Sequence, residues 1–259
     1  HGVHRRQRQM CIRDSVIDLP LRTLPVRALM GPGPSEIHPR ALQALAQPAI
    51  GHLDPAFVDL MDEVKDLLRY VFQTENRLTF PVSGPGSAAM ETCFTNMVEA
   101  GDKVVIARNG VFGGRMTEMA TRLSADVVTI DDEWGQPVDP QKLEAALESN
   151  PDTKIVGFVH AETSTGALSD ASKLAEIAQR FGCLTIVDTV TSLTGSPLYV
   201  DDWGLDAVYS GAQKCLSSVA GIAPLTISDR AIEKINQRQT PVSTLSLIHI
   251  SEPTRPNCI

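Results

Sequence analysis

Tyr209-Ser210-Gly211-Ala212-Gln213-Lys214-Cys215-Leu216-Ser217 sets one lysine among small and polar residues, directly after the β-type run Ala207-Val208-Tyr209. Downstream, Ser217-Ser218-Val219-Ala220-Gly221 keeps side chains small, so a flat ligand could approach the backbone. A lysine at the mouth of a strand-to-loop turn becomes an amine nucleophile once burial or a neighbouring cation lowers its pKa. Most lysines are solvated surface residues, so the turn alone decides little. A second run, 26 residues upstream, changes the balance. Leu184-Thr185-Ile186-Val187-Asp188-Thr189-Val190 is an apolar strand ending on one carboxylate. Open α/β sheets bind their ligands outside the carboxyl ends of such strands.

Outward from these two runs, the chain alternates strand and helix patterns. Strands are expected over 79–82, 103–107, 126–131 and 154–160, and helices over 88–98, 140–148 and 169–180. Asp54-Pro55 is a helix start, with an N-cap and proline at the first helical position. Phe57, Leu60, Met61, Val64, Leu67, Leu68 and Val71 follow at helical spacing, a stripe for the core or a dimer surface. A short helix is expected over 39–46, and an extended arm without chemistry over 16–28. Strands separated by helices of about ten residues predict an α/β fold: a mostly parallel sheet with helices on both faces. The strand over 222–228 follows the lysine loop too closely for a crossover helix, so it is expected to run antiparallel. Asp229 is expected to cap a last helix reaching about residue 238.

A lysine and an acid on neighbouring strand ends are what pyridoxal 5'-phosphate needs. The amine attaches to the aldehyde carbon, and the acid keeps the pyridine nitrogen protonated so that the ring can accept electrons. Ser83-Gly84-Pro85-Gly86-Ser87, a glycine-bearing turn feeding a helix, could offer N–H groups and a helix dipole to a phosphate. It lacks both the GK[ST] ending of a nucleotide P-loop and the spacing of a dinucleotide fingerprint. Phe112, in Asn109-Gly110-Val111-Phe112-Gly113-Gly114-Arg115, is flanked by small residues and could lie against a flat ligand or simply belong to the core. The hydroxyls of Glu162-Thr163-Ser164-Thr165-Gly166 could cap a turn. His160, inside the preceding strand, reads as structural.

Val187-Asp188-Thr189-Val190-Thr191-Ser192-Leu193, Ser210-Gly211-Ala212-Gln213-Lys214 and Gly31-Pro32-Gly33-Pro34 resemble the class V aminotransferases, in the alanine–glyoxylate and serine–pyruvate/serine–glyoxylate branch. The likeness runs from about residue 26 to 244. It implies the large domain of a type I pyridoxal-phosphate transferase, with Lys214 as catalytic residue and cofactor anchor and Asp188 on the ring nitrogen. It further implies Phe112 stacked on the ring, Thr163 on the ring oxygen, and Gly86, Ser87 and Gln213 at the phosphate. Pro85 stands where the family often has serine, which removes one N–H donor. The implied activity is amino transfer from a small amino acid, alanine or serine, to glyoxylate or pyruvate, by a homodimer. Within the superfamily, a cysteine desulfurase would typically have histidine where Gln213 stands. Aminoethylphosphonate transamination stays open. The family's tyrosine/threonine loop, its smaller C-terminal domain and its carboxylate-binding arginine are not found here. A catalytically incomplete fragment that binds cofactor weakly or not at all is therefore the alternative expectation.

Composition narrows the rest. The 259 residues suffice for one large domain, and 42% hydrophobic and 21% charged residues are ordinary for a soluble protein. A net charge of −8 argues against nucleic acid, which needs a basic footprint. No apolar run approaches the roughly 18–20 residues that span a bilayer. Cys11, Cys93, Cys183, Cys215 and Cys258 are scattered, which fits a reducing, cytoplasmic compartment and gives no support to a metal site. Residues 1–15 carry Arg5, Arg6, Arg8 and Arg13 before the first acid, Asp14. That pattern fits a transit peptide or, on the wording of the segment, adapter read-through. Residues 245–259 resemble the same artefact. Both are expected to be non-native tails flanking a domain over 16–244.

Overall fold

The computed structural model describes residues 23–242; the two expected tails and the first part of the expected arm lie outside the described residues. Fourteen elements follow in order: α1 (Pro39–Leu45), α2 (Pro55–Phe72), β1 (Leu78–Ser83), α3 (Gly86–Met97), β2 (Lys103–Arg108), α4 (Val111–Arg122), β3 (Asp126–Asp131), α5 (Pro140–Ser149), β4 (Ile155–Val159), α6 (Ala171–Arg180), β5 (Leu184–Asp188), β6 (Ala207–Tyr209), β7 (Ile222–Ile227) and α7 (Asp229–Asn236). The strands form one sheet in the order β1-β7-β6-β5-β4-β2-β3. All neighbours pair parallel except β7, which is antiparallel to both β1 and β6.

Because successive strand residues face opposite sides, each central strand feeds two cores. Val104 and Ile106 of β2, Ile155 and Val159 of β4, and Ile186 of β5 join Met90, Phe94 and Met97 of α3, Met116 of α4 and Ile235 of α7. On the other face, Val105, Val156, Phe158 and Val187 meet Phe72 of α2, Leu143 and Leu147 of α5, and Leu174 and Ile177 of α6. Burial on both sides explains the near-continuous apolar strands. Helices therefore cover both faces, as the alternation predicts.

The capping signals act locally. Asp54 accepts from Ala56 N–H at 2.9 Å and Asp139 from Gln141 N–H at 2.8 Å, each with proline opening the helix. Most element ends shift by one or two residues from expectation, and at three places the local cause is visible. Helix α3 begins at Gly86, so Gly86 and Ser87 form its first turn. The last helix is capped by Ser228, whose Oγ accepts from Ala231 N–H at 3.1 Å, while Asp229 lies in the first turn. Strand β5 stops at Asp188: Thr189 N–H still bonds Tyr209 O on the neighbouring β6, but Val190 N–H turns back to Asp188 Oδ1, both at 2.9 Å. Along α2 the apolar stripe docks at its C-terminal end through Phe72, Leu68 and Val71, while Leu60 and Leu67 stay exposed.

Candidate active site

The carboxyl ends of β1, β2, β4, β5 and β6 lie along one edge of the sheet, and every residue singled out from the sequence sits on or just after one of them. Asp188, the last residue of β5, pairs in register with Tyr209, the last of β6. Its carboxylate is buried and takes two neutral donors, Val190 N–H on Oδ1 and the Tyr209 phenol on Oδ2, both at 2.9 Å. Burial pushes its pKa up to about 6, and the Glu162 charge adds to this; the two hydrogen bonds and the Arg115 charge pull the other way.

Lys214 lies in the loop after β6, half-buried, with Nζ donating to the Pro32 carbonyl at 2.6 Å. Burial lowers its pKa, opposed by the negative charge of Asp188, so the free amine is reached more readily than in water. The glycine–proline loop is fastened to the lysine turn: Ser35 N–H donates to Gln213 O and His38 N–H to Ser217 O, both at 2.8 Å.

The first turn of α3 abuts the same place. A Cβ on Gly86 would stand 2.9 Å from Val190 Cγ2 and 3.6 Å from Ser210 O, so glycine is what lets this helix start approach the two strand ends. Pro85 at the N-cap supplies no side-chain bond to the helix, which leaves the first turn without a protein cap of that kind. The Gln213 amide lies against Gly211, and its Oε1 is buried without a hydrogen-bond partner. Arg115 Nη1 donates to Ser87 Oγ at 2.9 Å. Its guanidinium sits 4.9 Å from the centre of the Phe112 ring, one helical turn back on α4.

Phe112 is held by Glu162. The buried carboxylate accepts from Phe112 N–H at 3.1 Å and Gly113 N–H at 3.4 Å, capping α4, while its other oxygen takes Ser164 N–H and Oγ. Gly110 permits this approach, since a Cβ there would fall 2.3 Å from Glu162 Cγ. Thr163 Oγ1 lies 2.7 Å from Thr191 Oγ1, and Thr191 donates to Ala161 O. The Thr191 proton is thereby committed, so Thr163 is the donor of the pair and its own lone pairs remain to accept. His160 bonds Ser192 Oγ at 2.9 Å and stands edge-on to Trp203; burial drops its pKa to about 4, a neutral structural histidine.

Asp188, Lys214, Gly86 and Gln213 are thus joined through Val190, Ser210 and Gly211, with Ser87 and Phe112 linked by Arg115 and Thr163 tied to the β5 loop. Four further residues were not singled out from sequence: Tyr209, Glu162, Arg115 and Thr191. For Arg115 a signal existed, its position three residues beyond Phe112 on a helix face. The assembled chemistry is an amine of lowered pKa, a buried acid, a helix N-terminus with hydroxyl and guanidinium, and a flat aromatic.

The class V aminotransferase family profile (Aminotransferase class-V) matches residues 39–254, and the chain belongs to that family. It is 40% identical over 222 residues to alanine–glyoxylate aminotransferase of Rattus norvegicus, covering 85% of this chain and 53% of that protein. It is 38% identical over 215 residues to (S)-ureidoglycine–glyoxylate transaminase of Bacillus subtilis (strain 168), covering 83% of this chain and 51% of that one. Among solved structures, alanine–glyoxylate aminotransferase from Nostoc sp. superposes with a TM-score of 0.88 at 48% identity, covering 92% of this chain and 63% of the other. The chain spans about half the length of the curated relatives it matches. Class V aminotransferases are pyridoxal-phosphate-dependent in general. Among the described residues no helix is long and apolar enough to cross a membrane.

Proposed function

We propose that this chain binds pyridoxal 5'-phosphate at the carboxyl edge of its sheet. We propose further that the whole protein transfers an amino group from a small amino acid, alanine or serine, to a 2-oxo acid, glyoxylate before pyruvate. The observation that carries this is the pairing of Lys214, an amine of lowered pKa, with Asp188, a buried carboxylate bonded by neutral donors, beside the open N-terminus of α3. The residues present fit the cofactor. The open α3 start, packed close at Gly86, is a feature a phosphate would use, and the Asp188 charge calls for a cation; Gln213, whose buried Oε1 has no partner, would turn its Nε2 hydrogens toward the phosphate, since the oxygen only accepts.

Bound cofactor supplies an electron sink for the substrate's α-carbon. Lys214 would anchor the cofactor at its aldehyde carbon, with loss of water, and its amine when free would move the proton at the substrate's α-carbon. Asp188 would hold a proton on the ring nitrogen, Phe112 would lie along the ring, and Thr163 would meet the ring oxygen. Gly86, Ser87 and Gln213 would bind the phosphate, with Arg115 adding positive charge through Ser87. Glyoxylate is favoured as acceptor because all three named relatives carry it in their names. A homodimer belongs to the same reading, supported by the exposed apolar side chains Leu42, Leu45, Leu53 and Leu60 on the first two helices and their connection. So does a cytoplasmic compartment, supported by the free Cys93, Cys183 and Cys215.

The test is reduction with borohydride after addition of pyridoxal phosphate, followed by peptide mapping. A reduced adduct on Lys214 is expected; an adduct confined to other lysines, or none, refutes the assignment.

A further inference from the structure

Tyr209 is the largest of the fully buried side chains, yet its hydroxyl is not lost in hydrocarbon. Asp188 shares a sheet face with Ile186, and Tyr209 with Ala207, so the register sets the two side by side and the phenol meets Oδ2 at 2.9 Å. We propose that Tyr209 is a positioning residue of the site. By donating to Oδ2 while Val190 N–H holds Oδ1, it locks the Asp188 carboxylate in one orientation and leaves the remaining lone pairs for a cationic ring nitrogen. The proposal rests on the pyridoxal-phosphate reading of the site.

Packing alone asks only for a ring here, and phenylalanine would fill the same space; the hydroxyl is what the core does not need. A buried carboxylate oxygen without a donor is costly, so the phenol carries weight through Asp188. Burial and the Asp188 charge hold the Tyr209 pKa well above its ordinary value, so it stays a donor and never becomes a second anion. The other groups whose charge reaches this pair are Glu162, Arg115 and Lys214; the Cys93 thiol also interacts with it, but burial keeps that thiol protonated and neutral.

The test uses Tyr209→Phe in the full chain, in two arms. In ligand-free protein, the Asp188 carboxyl is titrated by carbon-13 NMR, its resonance assigned with Asp188→Asn. The variant is expected to titrate higher by about one unit or more; an unmoved titration overturns the proposal. In the second arm, affinity for pyridoxal phosphate is expected to fall by about tenfold to a hundredfold in the wild-type background. In the Asp188→Asn background it should change by less than about twofold. Equal losses in both backgrounds mean that Tyr209 acts through packing, which also overturns the proposal. If the phenylalanine variant folds poorly, 3-fluorotyrosine at position 209 keeps the shape and makes a stronger donor. It should lower the Asp188 titration, and no shift or an upward one is contrary. Wild-type protein that binds no pyridoxal phosphate defeats the cofactor reading itself, and the ligand-free titration still decides whether Tyr209 governs Asp188.

Discussion

Asp102 and Asp188 are buried carboxylates at opposite ends of one sheet, in opposite electrostatic settings. Asp102, just before β2 at the amino edge, receives Lys154 Nζ at 2.7 Å, Lys234 Nζ at 3.1 Å and Glu99 N–H at 3.0 Å. Burial works to raise its pKa, but these donors outweigh it and hold the carboxyl below its usual range. Asp188 at the carboxyl edge is bonded by a backbone N–H and a phenol instead, and burial wins. The first arrangement is complete in itself and serves the fold. The second buries negative charge without a bonded cation, a cost to the fold that an incoming cationic ligand would offset.

The largest effect that sharpens this contrast is expected from Lys214→Ala. The borohydride-reducible adduct formed on adding pyridoxal phosphate should vanish, with the melting temperature nearly unchanged because the half-buried amine bonds the exposed Pro32 loop and not the core; a retained, reducible adduct at the same site breaks the assignment. Next comes Asp188→Asn in a full-length enzyme, where a neutral amide cannot hold the ring-nitrogen proton. Turnover should drop by about two orders of magnitude or more, and unchanged turnover would make Asp188 a mere strand-end acid.

Asp102→Asn should do the reverse. It should cost about 2 kcal/mol of stability at pH 7 while leaving cofactor affinity alone. Because the folded pKa of Asp102 is depressed, its contribution is present above the unfolded value near 4 and is lost as acid carries the pH down through the folded one. Equal stability of variant and wild type at pH 7 by urea titration would erase the distinction between the two ends. The smallest effect is expected from Pro85→Ser, which restores an N–H and a capping hydroxyl at the α3 start. A gain of about 1 kcal/mol in stability and severalfold in phosphate affinity should follow; weaker binding would argue that the cradle lies elsewhere.

Much of this was legible in the chain itself, for physical reasons that differ by residue. Asp54-Pro55 and Asp139-Pro140 carry their helix starts in two adjacent residues, and the short gap between Lys214 and β7 dictates an antiparallel return. Asp188 stands out because it closes a strand otherwise free of charge, and Lys214 because it is the one charge in the run of small and polar residues from 210 to 221. The sequence pattern starts helix α3 two residues late because Gly86 and Ser87 read as turn residues, and their helical geometry depends on packing against Val190 and Ser210. At Ser228-Asp229 both residues could cap, and the extended backbone of Ser228 decided between them. Tyr209 reads as strand filler because its partner is 21 residues away. Glu162 reads as part of a turn because the N–H groups it caps lie about 50 residues upstream. Long-range hydrogen bonds of this kind leave no periodic trace.

The charge left at the carboxyl edge is tested most directly by unfolding free energy as a function of pH, for wild type and Asp188→Asn, with and without pyridoxal phosphate. A carboxyl whose folded pKa is raised from 3.8 to about 6 binds its proton more tightly folded than unfolded. Wild-type stability should therefore decline between pH 4 and 6 relative to the asparagine variant, by roughly 3 kcal/mol in all. The deficit should persist above pH 6 and shrink when the ligand is present. Parallel profiles for the two proteins, with no ligand-dependent closing of the gap, would contradict the claim that Asp188 is an acid held ready for a cation.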